Sequence, residues 1–220
     1  VERNVVTEER QQYLNQPYGA VFEQMMPTVF EHHPYRWLPI GQIPHLNAAA
    51  VEELQHFWDT YYVPANATLV IVGAVSHSDA QALAKRYFGW MPALPEPPRV
   101  TVEEPEQTQP REMVIREGMG PAPFIRYVYR AVPKKHPDYM PLEALARILG
   151  GGDSSRLYQD LVKERRICQD AHADLVDLEQ DGLFISGAVL LPSEDDGAST
   201  TELTRVMEAI AGHIDALRTE

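Results

Sequence analysis

Two glutamates seven residues apart, Glu2 and Glu9, stand in the run Val1-Glu2-Arg3-Asn4-Val5-Val6-Thr7-Glu8-Glu9-Arg10. On a helix, at about 100° per residue, Val5, Val6 and Tyr13 fall at about 140°, 240° and 220° and define the one apolar face. Glu2 at about 200° and Glu9 at about 180° fall in the middle of that face, whereas Glu8 at about 80° lies on the polar side with Gln11 and Asn15. A carboxylate centred on a buried face is costly unless something pairs with it. Two of them point to a cation or a catalytic site. The plainer reading is an ion pair with an Arg or Lys from elsewhere in the fold, because structural ion pairs also place acids in such positions. Two helical turns span roughly 10 Å, too far for both carboxylates to ligate one ion. A metal would therefore take one Glu as ligand, with the other orienting it or supporting proton transfer. One carboxylate does not make a zinc site, which in catalytic geometry needs three protein ligands.

The elements that would position these residues are legible in outline. Residues 2 to 15 read as a helix, and Pro17 opens a second one through Val21, Phe22, Met25 and Met26 before Pro27 perturbs it. Residues 31 to 46 are loop-like, with Pro34, Pro39, Gly41 and Pro44. Asn47 can cap a helix carrying Val51, Leu54, Phe57, Trp58, Tyr61 and Tyr62. The apolar run from Ala67 to Val75 reads as a strand buried on both faces. Ser78 with Gln81 suggests a capping box for the next helix, which Gly89 closes. Between Met91 and Pro110 stand Pro92, Pro95, Pro97, Pro98, Pro105 and Pro110 among polar residues. Such a stretch is stiff and extended, and it is the best candidate for a domain boundary.

Beyond it, Glu112 to Glu117 and Phe124 to Val132 read as strands, the second with Ile125, Tyr127 and Tyr129 on one face. Tyr139 to Leu149 reads as a helix ended by Gly150-Gly151-Gly152, and Ser154 or Ser155 opens another through Leu157, Tyr158, Leu161 and Val162. Strands around Cys168 to Leu175 and Leu183 to Leu191 flank an acidic turn with Asp181-Gly182, a hairpin pattern. The last helix carries Leu203, Val206, Met207, Ile210, Ile214 and Leu217, with Ser199 and Glu202 as its capping pair. Both halves combine strands with long helices, which suggests a diverged duplication.

Composition bounds the function. The chain has 220 residues, 44% hydrophobic and 23% charged, with net charge −13 and pI near 5.0. That balance argues against nucleic acid as a partner, since a basic footprint is needed there, and against an anionic membrane surface. No apolar run reaches the length of a transmembrane helix. Cys168 is the single cysteine, so no internal disulfide forms, and it reads as a small buried hydrophobe. The chain starts at Val1 inside a helical pattern without a visible signal sequence, so the expectation is a piece whose upstream residues are missing.

Other motifs carry less. The run Gly150-Gly151-Gly152-Asp153-Ser154-Ser155 follows a helix and has no Lys before its Ser, so it is a turn rather than a phosphate loop. His32 and His33 lack a spaced partner and read as a surface pair; His56 and His213 sit in helices without a second ligand four residues away. Neither H-E-x-x-H, H-x-x-E-H nor G-x-S-x-G occurs.

Three stretches resemble the M16 zinc proteases (insulinase, pitrilysin and mitochondrial processing peptidase). Glu2 to Glu9 is similar to the helix that follows that family's inverted H-x-x-E-H motif. His33-Pro34-Tyr35, Ile40-Gly41 and the run Tyr61-Tyr62-Val63-Pro64-Ala65-Asn66 to Gly73 resemble its "HPY…G…YxPxNxxLxxxG" block. Gly152 to Arg165, through Ser154-Ser155-Arg156-Leu157 and Leu161, resembles its "G…SSRLxxxLREKRG" segment. The order and spacing agree over almost the whole chain.

The resemblance implies an α+β, M16 metallopeptidase-like (LuxS/MPP-like) fold of two related units, with antiparallel sheets packed with helices. Residues 1–91 would be the C-terminal part of the first, zinc-bearing unit, 92–110 a Pro-rich linker and 111–220 most of the second unit. Glu9 would be the metal ligand, for Zn2+, and Glu2 the second glutamate implicated in catalysis; the two His and the general-base Glu of the motif are not in this chain. The implied function is part of a zinc-dependent metalloendopeptidase acting on peptides or unfolded proteins, the piece itself being inactive. The alternative is a non-catalytic partner or scaffold subunit, and a third reading is a generic peptide-binding or assembly domain. Expected partners are peptide substrates and a second M16 half or subunit, or a second copy in a homodimer. The bacterial periplasm is the expected compartment, with the cytoplasm as alternative. One departure is visible. After Glu164-Arg165-Arg166 the family continues Gly-Leu-Ala-Tyr, whereas this chain reads Ile167-Cys168-Gln169-Asp170.

Overall fold

The opening glutamate run is helical: α1 spans Glu2–Leu14 in a computed structural model that describes residues 2–116, 120–192 and 200–219. Two compact units follow from the packing, Val1–Gln11 with Phe30–Pro110 and Gln12–Val29 with Arg111–Glu220. The proline-rich stretch 92–110 thus packs with the first unit, and the second helix with the second unit.

Unit 1 is helical. It holds α3 (Ile43–Ala48), α4 (Val51–Tyr61) and α5 (His77–Phe88), with short 3-10 turns at Pro34–Arg36 and Pro64–Asn66. Asn47 lies inside α3 instead of capping α4. The α4 cap is made by the Glu53 carboxylate, which accepts from the Ala50 N–H at 2.9 Å. Ser76, not Ser78, caps α5 and accepts from the Asp79 N–H at 3.1 Å, and Gly89 ends that helix as expected.

The run from Ala67 to Val75 is not a strand in this structure, and every residue of it is exposed, Val72 at 91%. The reason is structural: a two-faced apolar strand needs ladder partners and cover on both faces. Among the described residues none pairs with it. The same holds for the apolar positions of α4 and α5. Val51, Leu54, Phe57, Trp58, Leu83 and Tyr87 have the spacing of core faces, yet all are exposed. Among the described residues of unit 1 the buried set is small: Phe30, His33, Val63 and Pro97.

The proline-rich stretch is tied to this small core by one carboxylate. Glu104 accepts from three consecutive backbone N–H groups, those of Glu31 at 2.7 Å and of His32 and His33 at 2.8 Å each. Desolvation pushes its pKa up, but the three backbone bonds and the neighbouring His32 outweigh that and hold it below the usual carboxylate range. A carboxylate held low contributes its stability above its ordinary pKa and loses it as pH falls through the lowered value. Glu104→Ala is therefore expected to speed amide exchange across residues 31–33 and the 92–110 stretch, read by hydrogen–deuterium exchange at neutral pH. Acidification of the wild type is expected to act in the same direction.

Unit 2 is a three-stranded antiparallel sheet with helices. β1 (Phe124–Ala131), β2 (Cys168–Asp177) and β3 (Gly182–Leu190) lie in the order β1-β3-β2, and β2-β3 is the hairpin the sequence suggests. Asp181 fixes its turn: one carboxylate oxygen takes Arg130 Nη2 at 2.7 Å and Nε at 3.0 Å, the other the Gly182 N–H at 2.9 Å. One sheet face carries small residues, Ala188 beside Ala171 and Ser186 beside Ala173. Small side chains let the helices come close. Leu149 of α6 (Tyr139–Gly150), Leu157 and Leu161 of the next turn of chain, and Val206 and Ile210 of α7 (Thr200–Thr219) close the core there. Each such side chain contributes about 1.5–3 kcal/mol when fully buried.

α2 (Val21–Val29) starts four residues after Pro17, and Pro27 sits within it without ending it. Its Val21, Met25, Met26 and Val29 are buried. Phe22 stacks beneath the Arg126 guanidinium at 5.3 Å, and Tyr18 donates to the Ala122 carbonyl at 2.6 Å. The expected strand at 112–117 is absent over 112–116, and its last residue lies outside the described residues, as does Ser199, the expected cap of α7.

Candidate functional site

Glu2 and Glu9 lie on α1 as the helical count requires, with Arg3 donating to the Ala49 carbonyl at 2.9 Å nearby. The premise of a buried acidic face does not hold in this structure. No residue of α1 is buried, both glutamates are exposed, and so are Val5 and Tyr13 of the apolar face. The face exists as a pattern but carries no cover among the described residues. Nor do the described residues bring three or more His, Cys, Asp or Glu side chains together as a metal centre. A lone carboxylate does not meet the three-ligand need of catalytic zinc, so the residues present do not hold that ion by themselves.

The His pair resolves into two different residues. His33 is 95% buried rather than a surface feature: it is 5% exposed, packs on Tyr35 at 4.1 Å between ring centroids, and its Nδ1 accepts from the Tyr35 N–H at 3.1 Å. It caps the Pro34–Arg36 turn, so its type is set by folding rather than by metal chemistry. His32 is exposed and faces the Glu104 carboxylate.

The segment after Ser155 is more unusual. Residues Tyr158–Glu164 wind as a π-helix, with the Arg165 N–H donating to the Asp160 carbonyl at 2.8 Å. Its end turns on Arg166, which has φ +53°. Counting the SSRLxxxLREKRG pattern from Ser154 puts its closing glycine on Arg166 and the aromatic three positions later on Gln169. That corrects the reading in which Ile167 stands in for the glycine. Left-handed backbone costs a non-glycine residue about 1–2 kcal/mol. Arg166→Gly is therefore expected to raise stability, by somewhat less than that because glycine also frees the unfolded chain, by about 0.5–1 kcal/mol. A rise in Tm checks it. Gln169 falls in the register shift between Cys168 and Asp170, a bulge in β2. Cys168 is buried as expected, and desolvation first, then Asp160 and Asp170, raise its thiol pKa to about 11.

Sequence reasoning missed one cluster. Asp160 accepts from Arg165 Nε at 2.7 Å and meets His213 Nε2 at 2.9 Å. Desolvation raises the Asp160 pKa, but the bonds and charges of Arg165 and His213 win and hold it below the usual range. No linear signal could have found this, because Asp160 and His213 are 53 residues apart and meet only through the fold.

The fold defines a class: an α+β chain in two units whose second half is a helix-backed antiparallel sheet. Comparison with known proteins places it. A family profile described as "Peptidase M16 inactive domain" matches residues 49–220. The chain belongs to the peptidase M16 family. It is 30% identical over 212 residues to the zinc protease PqqE of Helicobacter pylori, covering 95% of this chain and 48% of that protein. It superposes on the crystal structure of a protease from Helicobacter pylori with TM-score 0.84 and 28% identity, covering 94% of this chain and 50% of that one. The periplasmic protease PqqL from Escherichia coli shares the fold, with TM-score 0.69 at 17% identity over 93% of this chain and 25% of that one. The chain thus spans about half the length of these two Helicobacter pylori proteins. Among the described residues no helix is long and apolar enough to cross a membrane.

Proposed function

We propose that this chain is part of a zinc-dependent metalloendopeptidase that hydrolyses peptides or unfolded proteins, and that it does not hydrolyse them by itself. In this reading residues 1–91 are the end of the zinc-bearing unit, 92–110 the connector and 111–220 most of the second unit. Glu9 contributes one ligand to a Zn2+ site whose histidines belong to another part of the protein, and Glu2, on the same helical face, supports that ligand. When bound, the ion would act as a Lewis acid on the scissile carbonyl. One observation carries the proposal: the apolar run 67–75, the faces of α4 and α5 and the face of α1 that holds Glu2 and Glu9 all stand uncovered among the described residues. A unit that shares its sheet with strands outside these 220 residues would leave such faces uncovered, and the relatives are about twice as long. Peptide substrates, a second M16 half, subunit or copy, and a periplasmic location go with the same reading, the last supported by the periplasmic relative of the same fold.

A second reading, a non-catalytic partner or scaffold subunit, draws on two observations. The matching profile is that of the inactive domain, and Gln169 stands where the family carries an aromatic. An intact H-x-x-E-H upstream separates the readings, with substituted histidines favouring the scaffold. The functional test compares the 220-residue chain with the protein carrying that upstream part, on a fluorogenic peptide with and without chelator. Chelator-sensitive cleavage is expected only from the longer protein; such cleavage by the 220-residue chain alone would overturn the proposal.

A further inference from the structure

The wall between the π-helical segment and α7, wholly within unit 2, gathers charged groups that the peptidase reading does not use. A surface cavity of about 590 Å³ lies there, with Arg165, Arg205, Glu208 and His213 on its rim and Ala209 and Gly212 in its lining. The site is open to solvent, so it has room for one end of a short peptide.

The charges are organised rather than scattered. Asp160 spends one oxygen on Arg165 Nε and the other on His213 Nε2, which fixes both side chains. Only Nε of Arg165 is used, so its two terminal nitrogens remain as a fork, the geometry that takes a carboxylate through paired N–H donors. Among the described residues no acceptor meets the Arg205 guanidinium. Asp160 and Glu208 together balance the two arginines, so the cavity is close to neutral on a chain whose net charge is −13. Glu208, one turn along α7 from Arg205 and not ion-paired with it, adds a single acceptor to the rim. A dianion such as phosphate would meet repulsion there, whereas a ligand with a carboxylate and a nearby N–H or ammonium group would satisfy both signs.

The backbone around Arg165 points the same way. The π-helix before it and the left-handed Arg166 after it are both irregular. Features of this kind cost free energy and concentrate where a side chain must be held in place.

We propose that this cavity binds a carboxylate carried by a peptide. Arg165 and Arg205 hold the carboxylate, His213 lines its path, and Glu208 receives an N–H or ammonium group of the same ligand. The carboxylate comes from either the C-terminus or an acidic side chain, and the chemistry is shared. The inference does not rest on the zinc reading, since every residue in it belongs to unit 2.

The test uses the 220-residue chain and three fluorescein-labelled hexapeptides followed by anisotropy. One has a free C-terminus and no acidic residue, one is its C-terminal amide, and one is an amide with a central Glu. Binding is expected for at least one carboxylate peptide, weakened by added salt, and not for the plain amide. If the free C-terminus binds, it is the source; if only the Glu peptide binds, the acidic side chain is. Arg205→Gln is expected to lower affinity at least tenfold. Gly212→Leu is expected to do the same by placing an apolar side chain in the lining beside His213. A Cβ at Gly212 meets nothing within 4 Å, so the backbone there has room for a side chain to begin. Circular dichroism checks that both variants keep the wild-type melt. Equal affinity for all three peptides, no measurable binding, or wild-type affinity in both variants would each overturn the proposal.

Discussion

On the proposed zinc reading, Glu9→Gln in a protein extended upstream to an H-x-x-E-H segment is expected to lose bound zinc and to lower kcat/KM about a thousandfold, equivalent to roughly 4 kcal/mol of transition-state stabilisation. The amide keeps the shape of the carboxylate and removes its charge, so the loss reports ligation rather than folding. Glu2→Gln is expected to keep zinc near stoichiometric and to lower turnover by about 10–100-fold, the usual cost of losing a residue that orients a ligand. Glu8→Gln is the control. Glu8 lies about 100° around α1 from Glu9, and its change is expected to leave both zinc content and kcat/KM within twofold. Metal analysis on dialysed protein, paired with peptide hydrolysis, separates the three outcomes. Full zinc content in Glu9→Gln would remove Glu9 from the site. Equal losses in Glu8→Gln and Glu9→Gln would mean that the helix, not the ligand, had been damaged.

The helical count could distinguish Glu9 from Glu8 because it needs only the period of the helix, which α1 obeys. It failed on burial, because burial depends on what lies against the face. The same division runs through the rest of the chain. In unit 2 the alternation of Ile125, Tyr127 and Tyr129 and the acidic turn before Gly182 gave strand and hairpin correctly, since the partners of those strands are present. In unit 1 the run Ala67–Val75 has as strong a strand pattern and forms none. Side chains of that kind do not make a ladder without a neighbour. The caps missed at Asn47 and Ser78 were missed locally: Glu53 and Ser76 offered equivalent acceptors a few residues away, and spacing alone does not choose between them. The Asp160–Arg165–His213 cluster was out of reach for another reason. It joins the π-helical turn to α7 across the fold, and neither the π-helix nor the left-handed Arg166 has a sequence period to betray it.

The glycine triplet gives the second large effect, because its members do different work. Gly150, the last residue of α6, lies against β2 so closely that a Cβ built on it would stand 2.0 Å from the Ala173 nitrogen and 2.3 Å from the His172 carbonyl carbon. Both are backbone atoms of a strand already paired with β3, so they yield only if the hairpin shifts. The closeness is also what seals the core, because Leu149 beside it is fully buried with Ala171, Ala173 and Ala188. Gly150→Ala is therefore expected to cost about 3 kcal/mol or more, above the usual 1–3 kcal/mol of overpacking because the obstacle is main chain rather than a movable side chain. Gly152 has φ +92° with nothing within 4 Å of a built Cβ. Gly152→Ala is expected to cost only backbone strain, about 1–2 kcal/mol. Denaturant unfolding followed by far-ultraviolet circular dichroism measures both. A Gly150→Ala chain as stable as the wild type would mean that α6 does not approach β2 as described, and with it would go the reading of this triplet as a packing device rather than a ligand loop.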